Sequence, residues 1–126
     1  METQEMTMTT QAIATRLADL CKQGKFEEAQ DELFADDAVS IEPHATPDFP
    51  QETKGLQAIH EKAEKWGSMV SKTYSMKVSE PLIGTNSFAV TMNMDVEMKD
   101  GKRMQHNELC VYEVKDGKIV AERFFM

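Results

Sequence analysis

The sequence of 126 residues contains few cysteines and no long apolar run. Cys21 lies in a helical pattern and Cys110 in a strand pattern, and no CxxC motif occurs, so a disulfide framework and thiol redox chemistry lack support. No apolar run approaches the length that spans a bilayer. Residues 1–10 lack the basic cluster and apolar core of a signal or transit peptide. These absences predict a soluble cytoplasmic protein with no membrane partner.

Basic residues are also scarce, because 14 Lys and Arg face 22 Asp and Glu and leave a net charge of −8. Binding to nucleic acid depends on Lys and Arg that neutralise phosphates, so nucleic acid is not an expected partner. No GxGxxG, Walker or GxSxG motif occurs, and the histidines show no metal-ligand spacing such as HxH or HExxH. We therefore expect no cofactor and no metal ion.

The N-terminal half of the chain carries helical periodicity. A first helix is predicted with Thr10 as its N-cap and Gly24 as its terminator. A shorter second helix follows, with its apolar face on Phe26, Ala29, Gln30 and Leu33. A third helix is predicted from about Gly55 to Val70, with Trp66 on its apolar stripe. The length of the chain suits a single domain spanning residues 1–126, in which residues 1–8 form a flexible tail.

Residues 43–54, between the second and third helices, contain three prolines and no apolar periodicity. The segment is predicted to be an irregular loop that covers a pocket.

From Lys72 onward the period of the apolar residues changes to two, which is typical of half-buried strands. The turns Pro81–Asn86, Lys99–Lys102 and Asp116-Gly117 divide this half into an antiparallel meander. The predicted strands cover residues 74–78, 88–98, 104–114 and 119–126. Three helices followed by long strands predict an α+β fold, in which the sheet curls around the helices and encloses a conical cavity.

Three segments carry a resemblance that extends over nearly the whole chain: FADDAVSIEP at residues 34–43, KGLQAIHEKAEKW at residues 54–66, and ELCVYEVKDGKIVAERFF at residues 108–125. The chain resembles the SnoaL-like and ketosteroid isomerase-like families of the nuclear transport factor 2-like superfamily, and most closely the uncharacterised SnoaL-like sequences. The resemblance implies a cone-shaped, curled antiparallel (mixed) sheet wrapped on three N-terminal helices, a cystatin-like α+β barrel with an internal pocket. It also implies a homodimer that forms through the sheet.

The resemblance points first to Glu42. In ketosteroid isomerases a catalytic Asp moves a proton beside a carbonyl group from the position that Glu42 fills here, just before Pro43, so a general base is implied. The isomerases also place a Tyr and a protonated Asp as oxyanion donors. The matching positions here are about Leu17 and Cys110, which offer no comparable donor, so steroid isomerisation itself is not predicted.

Substitutes for these donors come from the alternation of residues 104–112. His106, Glu108 and Tyr112 share the strand face on which the isomerase donor sits. Two carboxylates, Glu42 and Glu108, facing one apolar cavity repel each other, so one is expected to stay protonated and to donate a hydrogen bond. His44, in the loop of residues 43–54, completes the catalytic candidates. The candidates for ligand contact are Phe34, Trp66, Cys110, Tyr112 and Phe124.

The sequence leaves structural roles open for these residues. Glu42 could pair with Lys54 or with a backbone amide, and Glu108 with Arg123 on the next strand. The leading hypothesis is cofactor-free proton transfer, of the isomerase, cyclase or dehydratase kind, on a small molecule that contains a carbonyl group. The alternatives are non-catalytic binding of a small apolar ligand and a dimeric interaction module.

Overall fold

The computed structural model of the protein describes residues 8–126. The flexible tail predicted for residues 1–8 therefore lies almost wholly outside the described residues. Within residues 8–126, no helix is both long and apolar enough to cross a membrane.

Three helices form one layer of the fold: α1 (Thr10–Lys22), α2 (Phe26–Leu33) and α3 (Leu56–Met69). The three predicted helices are confirmed, with one correction at the start of α1. Its N-cap is Thr9 rather than Thr10, because the Thr9 hydroxyl accepts a hydrogen bond of 3.1 Å from the Ala12 amide. After α1 the chain turns through Gly24, whose φ of +74° suits a glycine.

Seven strands form the second layer: β1 (Phe34–Ile41), β2 (Glu52–Lys54), β3 (Val70–Val78), β4 (Leu82–Ile83), β5 (Ser87–Met98), β6 (Arg103–Lys115) and β7 (Lys118–Phe125). Their order in the sheet is β2-β1-β7-β6-β5-β3, with β4 beside β5. The pairing of β1 with β7 is parallel and the other pairings are antiparallel. The predicted α+β class with a mixed sheet is therefore confirmed.

Two short strands correct the predicted loops. The segment of residues 43–54 is not irregular throughout, because its last residues form β2 against β1, with Lys54 opposite Val39. The predicted turn of residues 81–86 contains β4, which pairs with Ala89 and Phe88 of β5. Strands of two or three residues carry too little alternation to be recognised, and they form because a long neighbouring strand offers them hydrogen bonds.

The core lies between the helices and the inner face of the sheet. Helix α1 contributes Ile13 and Leu17 from one stripe, and α3 contributes Ile59. On β5 the alternate residues Phe88 and Val90 are buried, whereas their neighbours Ser87 and Thr91 face solvent. Because successive side chains of a strand point to opposite faces, every second residue of β5 packs toward the helices.

Candidate active site

A cavity of about 1790 Å³ opens between the helices and the inner face of the sheet. Its walls are mostly apolar and include the thioethers of four methionines on β3 and β5, which adapt readily to a ligand. The residues that form this apolar wall are Trp66, Met76, Met92, Met94, Val96 and Met98. A large concave apolar space with a few polar groups is the usual form of a small-molecule site.

The loop of residues 43–54 forms one side of the cavity mouth. Asp48 and Phe49 line the cavity there, and the Lys65 ammonium of α3 holds them: it donates a hydrogen bond of 2.5 Å to the Asp48 carbonyl and lies 5.2 Å from the centre of the Phe49 ring. His44 also lines the mouth, with an exposed side chain. The loop therefore lies where the sequence predicted a cover.

Glu42 follows the last residue of β1 and faces the cavity. Its amide donates a hydrogen bond of 2.7 Å to the Gln51 carbonyl, which fixes the backbone beside β2. Its carboxylate accepts a hydrogen bond of 2.8 Å from the Lys62 ammonium of α3. The pairing of Glu42 with Lys54 considered from the sequence is therefore wrong. The true partner comes from the helix that packs over β1.

The hydrogen bonds continue inward from Lys62. The Lys62 ammonium also donates to the Ser40 hydroxyl at 2.6 Å, and Ser40 in turn donates to the Glu122 carboxyl of β7 at 2.7 Å. Ser40 and Glu122 lie opposite each other in the parallel pairing of β1 with β7, and both are buried. Burial raises the pKa of Glu122, and the hydrogen bond from Ser40 and the charge of Lys62 oppose this rise.

We call these four residues, Glu42, Lys62, Ser40 and Glu122, the inner chain. The sequence prediction named only the first of them. The sequence does carry a signal for each of the other three. Lys62 interrupts the apolar stripe between Ile59 and Trp66. The strand period of two places Ser40 on the same face as Glu42, and Glu122 on the same face as Phe124. None of these signals shows that the three side chains meet.

Glu108 lies on the inner face of β6, opposite Met92. Burial and, to a smaller extent, the negative charges of Glu42 and Glu122 raise the pKa of Glu108 to about 7, and the charge of Lys62 opposes this rise. The pairing of Glu108 with Arg123 considered from the sequence is wrong, because Arg123 lies opposite Val111 and is exposed on the other face of the sheet. Glu108 is thus a cavity carboxyl group without a cationic partner of its own on β7.

His106 lies two residues before Glu108 on the same face of β6, opposite Met94. Its ring stands edge-on to the Trp66 ring, with 5.1 Å between the ring centres. Burial lowers the pKa of His106, which the charge of Glu42 only partly offsets. Its buried Nε2 atom has no hydrogen-bond partner among residues 8–126. The imidazole nitrogen is therefore a buried polar atom beside the cavity whose hydrogen-bonding capacity is unused.

The residues predicted to contact a ligand lie in different places. Phe34, Trp66, Tyr112 and Phe124 line the cavity, and the Phe124 ring centre lies 5.5 Å from the Lys62 ammonium nitrogen. Tyr112 stacks on Phe88, with 4.9 Å between ring centres, and burial raises the pKa of its hydroxyl. Cys110 is fully buried in the core, where burial raises the pKa of its thiol, and the structure places it outside the cavity lining.

The polar groups of the cavity suit acid–base chemistry. Glu42 is an ion-paired carboxylate at the cavity surface, whereas Glu108 has a pKa near neutrality. Two carboxyl groups in unlike surroundings are the arrangement from which a base and an acid are commonly assigned. Within residues 8–126, no three His, Cys, Asp or Glu side chains gather as a set of metal ligands.

Known structures share this fold closely. A candidate SnoaL-like polyketide cyclase from Mesorhizobium loti, also designated carbohydrate phosphatase, is 32% identical, with a TM-score of 0.87 over 94% of this chain and 100% of that one. A protein of unknown function with a cystatin-like fold from Xanthomonas campestris is 18% identical, with a TM-score of 0.79 over 94% of this chain and 90% of that one. A protein with a ketosteroid isomerase-like fold from Catenulispora acidiphila, in complex with trimethylamine, is 13% identical, with a TM-score of 0.72 over 94% and 87% of the two chains.

No curated protein sequence matches the chain significantly. The profile of the SnoaL-like domain matches residues 8–126, which is the whole of the described structure. The predicted resemblance is confirmed by this match and by the similarity to the structure from Mesorhizobium loti. The chain therefore belongs to the family of SnoaL-like domains.

Proposed function

We propose that the protein is a cofactor-free enzyme that moves a proton on a small carbonyl-containing molecule, in a reaction of the isomerase, cyclase or dehydratase kind. Glu42 acts as the general base, and Glu108 in its acid form donates a hydrogen bond to the carbonyl oxygen. One observation carries the proposal: two carboxyl groups face one mostly apolar cavity in unlike electrostatic surroundings.

The role of Glu108 follows from its environment. With a pKa of about 7, a large fraction of Glu108 is protonated at neutral pH, and an acid is most effective when its pKa is close to the working pH. A protonated carboxyl group in an apolar cavity donates a strong hydrogen bond to an oxygen on which negative charge develops. Glu108 thus supplies what the missing isomerase donors would supply.

Lys62 has the role of holding the base. Its hydrogen bonds to Ser40 and Glu42 fix the carboxylate at the cavity surface, and its positive charge keeps a negative group stable near Glu108. The apolar walls favour a substrate whose body is largely apolar. The candidate polyketide cyclase from Mesorhizobium loti supports the choice of reaction class.

The experiment is a screen of keto acids, enones, sterols and aromatic polyketide-like compounds by thermal shift and native mass spectrometry, followed by product analysis. For a compound that is converted, we expect Glu42→Gln to lower kcat by about 10²–10⁴-fold while binding persists. Glu113→Gln is the control, because it makes the same change at an exposed glutamate that does not line the cavity. Conversion that survives Glu42→Gln would refute the assignment of the base.

Non-catalytic binding of a small apolar ligand is the second candidate function. The flexible methionine wall of the cavity favours it, since such walls suit binding of varied apolar molecules. In that case the same screen gives ligands that bind unchanged, and Glu42→Gln alters only their affinity.

The protein is also proposed to form a homodimer through the outer face of the sheet. Leu109 and Phe125 lie opposite each other on β6 and β7, and both are exposed on that face. Neighbouring exposed apolar side chains on a sheet are typical of a surface that pairs with a second copy. A dimer built this way leaves the cavity open on the opposite side of the sheet.

A further inference from the structure

We infer that Glu42 and Glu122 share one exchangeable proton, which Lys62 and Ser40 conduct between them, so that Glu122 is the proton store of the site. The use of this proton in catalysis rests on the proton transfer proposed above. The sharing itself is a property of the resting protein and can be measured without a substrate.

The geometry of the inner chain provides an unbroken path. Its three successive contacts measure 2.8 Å from Lys62 to Glu42, 2.6 Å from Lys62 to Ser40 and 2.7 Å from Ser40 to Glu122. Each distance lies in the range of a short hydrogen bond. Because Ser40 accepts a hydrogen bond from Lys62 and donates one to Glu122, its hydroxyl already points in the direction in which a proton would travel.

The charges of the inner chain favour one bound proton. Two carboxylates around a single ammonium group leave one uncompensated negative charge, and such a charge is costly where water is excluded. Within residues 8–126, Lys62 is the only cation that acts on Glu122. The other titratable groups that face Glu122 add no positive charge: Cys21 from α1, and Glu108, Cys110 and Tyr112 from β6. One proton balances the inner chain.

The transfer step needs no group beyond these four residues. When the shared proton lies on Glu42, Lys62 passes one of its protons to Ser40 as the Ser40 hydroxyl proton moves to Glu122. The Lys62 nitrogen then accepts the proton from Glu42. One N–H and two O–H bonds break, and one N–H and two O–H bonds form. The net result is that Glu42 is a carboxylate again and Glu122 is protonated.

This path has a consequence for the proposed reaction. Glu42 can act as the base only while the shared proton lies on Glu122, because a protonated Glu42 cannot accept another proton. The position of the shared proton therefore determines how often the base is ready.

The test is a pH titration by NMR of protein labelled with ¹³C at the glutamate carboxyl groups, with the signals of Glu42 and Glu122 assigned from Glu42→Gln and Glu122→Gln. In the unaltered protein we expect both signals to move through the same two steps, because a shared proton gives the pair common titration steps. Ser40→Ala removes the hydroxyl group and leaves both carboxyl groups in place. It is expected to give each signal a single step of its own.

Two further variants make the result decisive. Ser40→Thr keeps a hydroxyl group and is expected to keep the shared steps. If Ser40→Ala does not fold, Glu122→Gln serves instead, and the Glu42 signal must then lose one of its two steps. Independent single steps in the unaltered protein, or shared steps that persist in Ser40→Ala, would overturn the inference. Since the readout needs no substrate, failure to find turnover would refute the proposed function and leave this result standing.

Discussion

Replacement of Glu108 by glutamine is expected to stabilise the protein at alkaline pH and to leave its stability unchanged at acid pH. Glutamine has nearly the shape of a protonated glutamate but cannot ionise. The variant therefore fixes residue 108 in the neutral form that the cavity prefers.

The magnitude follows from the pKa of Glu108. In the folded protein this pKa is about 7, against an ordinary value of 4.5, because burial penalises the charge. The folded state thus holds its proton more tightly than the unfolded state, so stability is highest below pH 4.5 and falls as the pH rises to about 7. At about 1.4 kcal/mol for each pH unit, this loss amounts to about 3 kcal/mol.

The assay is urea unfolding followed by circular dichroism at pH 4, 6 and 8. At pH 8 we expect Glu108→Gln to be more stable than the unaltered protein by about 3 kcal/mol, or about 10 °C in Tm for a domain of this size. At pH 4 the variant and the unaltered protein should have the same free energy of unfolding. Glu113→Gln, a change of an exposed residue on the same strand, should leave the free energy of unfolding unaltered at both pH 4 and pH 8.

Two results would refute the reasoning. Equal stability of Glu108→Gln and the unaltered protein at pH 8 would mean that the ionised carboxylate carries no penalty in the cavity. A loss of stability at all three pH values would mean that Glu108 makes a favourable contact that glutamine cannot make. In either case Glu108 would lose its assignment as the acid of the site.

Three other predictions concern neighbouring features. Because burial lowers the pKa of His106 below 6.5, fluorescence of Trp66, the single tryptophan of the chain, should be quenched by imidazolium only as the pH falls below that value. His106→Gln should abolish this step. Lys62→Met should destabilise the protein by about 2–4 kcal/mol in urea unfolding at pH 7, since it leaves a carboxylate unpaired, whereas Lys65→Met should cost less than about 1 kcal/mol. Light scattering should give twice the mass of one chain, and Leu109→Glu should give a monomer; a monomeric unaltered protein would contradict the proposed dimer.

The fold could be predicted largely because its long elements carry their period in the sequence. Apolar residues alternate with polar ones along β5, and apolar residues recur every three or four positions along α3. Each pattern follows from the geometry of a single element, so it can be recognised in the sequence. Strand β2 is too short to show a pattern. The parallel pairing of β1 with β7 depends on residues far apart in the chain, which no local period records.

The site was predicted less completely for a related reason. Glu42 and Glu108 could be named because a strand position and a strand face follow from sequence. The partner of Glu42 could not, because Lys62 reaches it from α3, and the packing of α3 on β1 is not recorded in any local spacing. The pKa of Glu108 likewise depends on how much water the folded walls exclude.

The position of β7 between β1 and β6 governs when the site can exist during synthesis. Ser40 and Glu122 are separated by 82 positions in the chain, and β1 has no partner on that side until β7 leaves the ribosome. Closing so long a loop is slow, and sheets built on distant pairings fold late. A nascent chain that ends before β7 therefore exposes the edge of β1 and lacks Glu122 of the inner chain. The contact between Ser40 and Glu122 forms only after β7 has paired with β1.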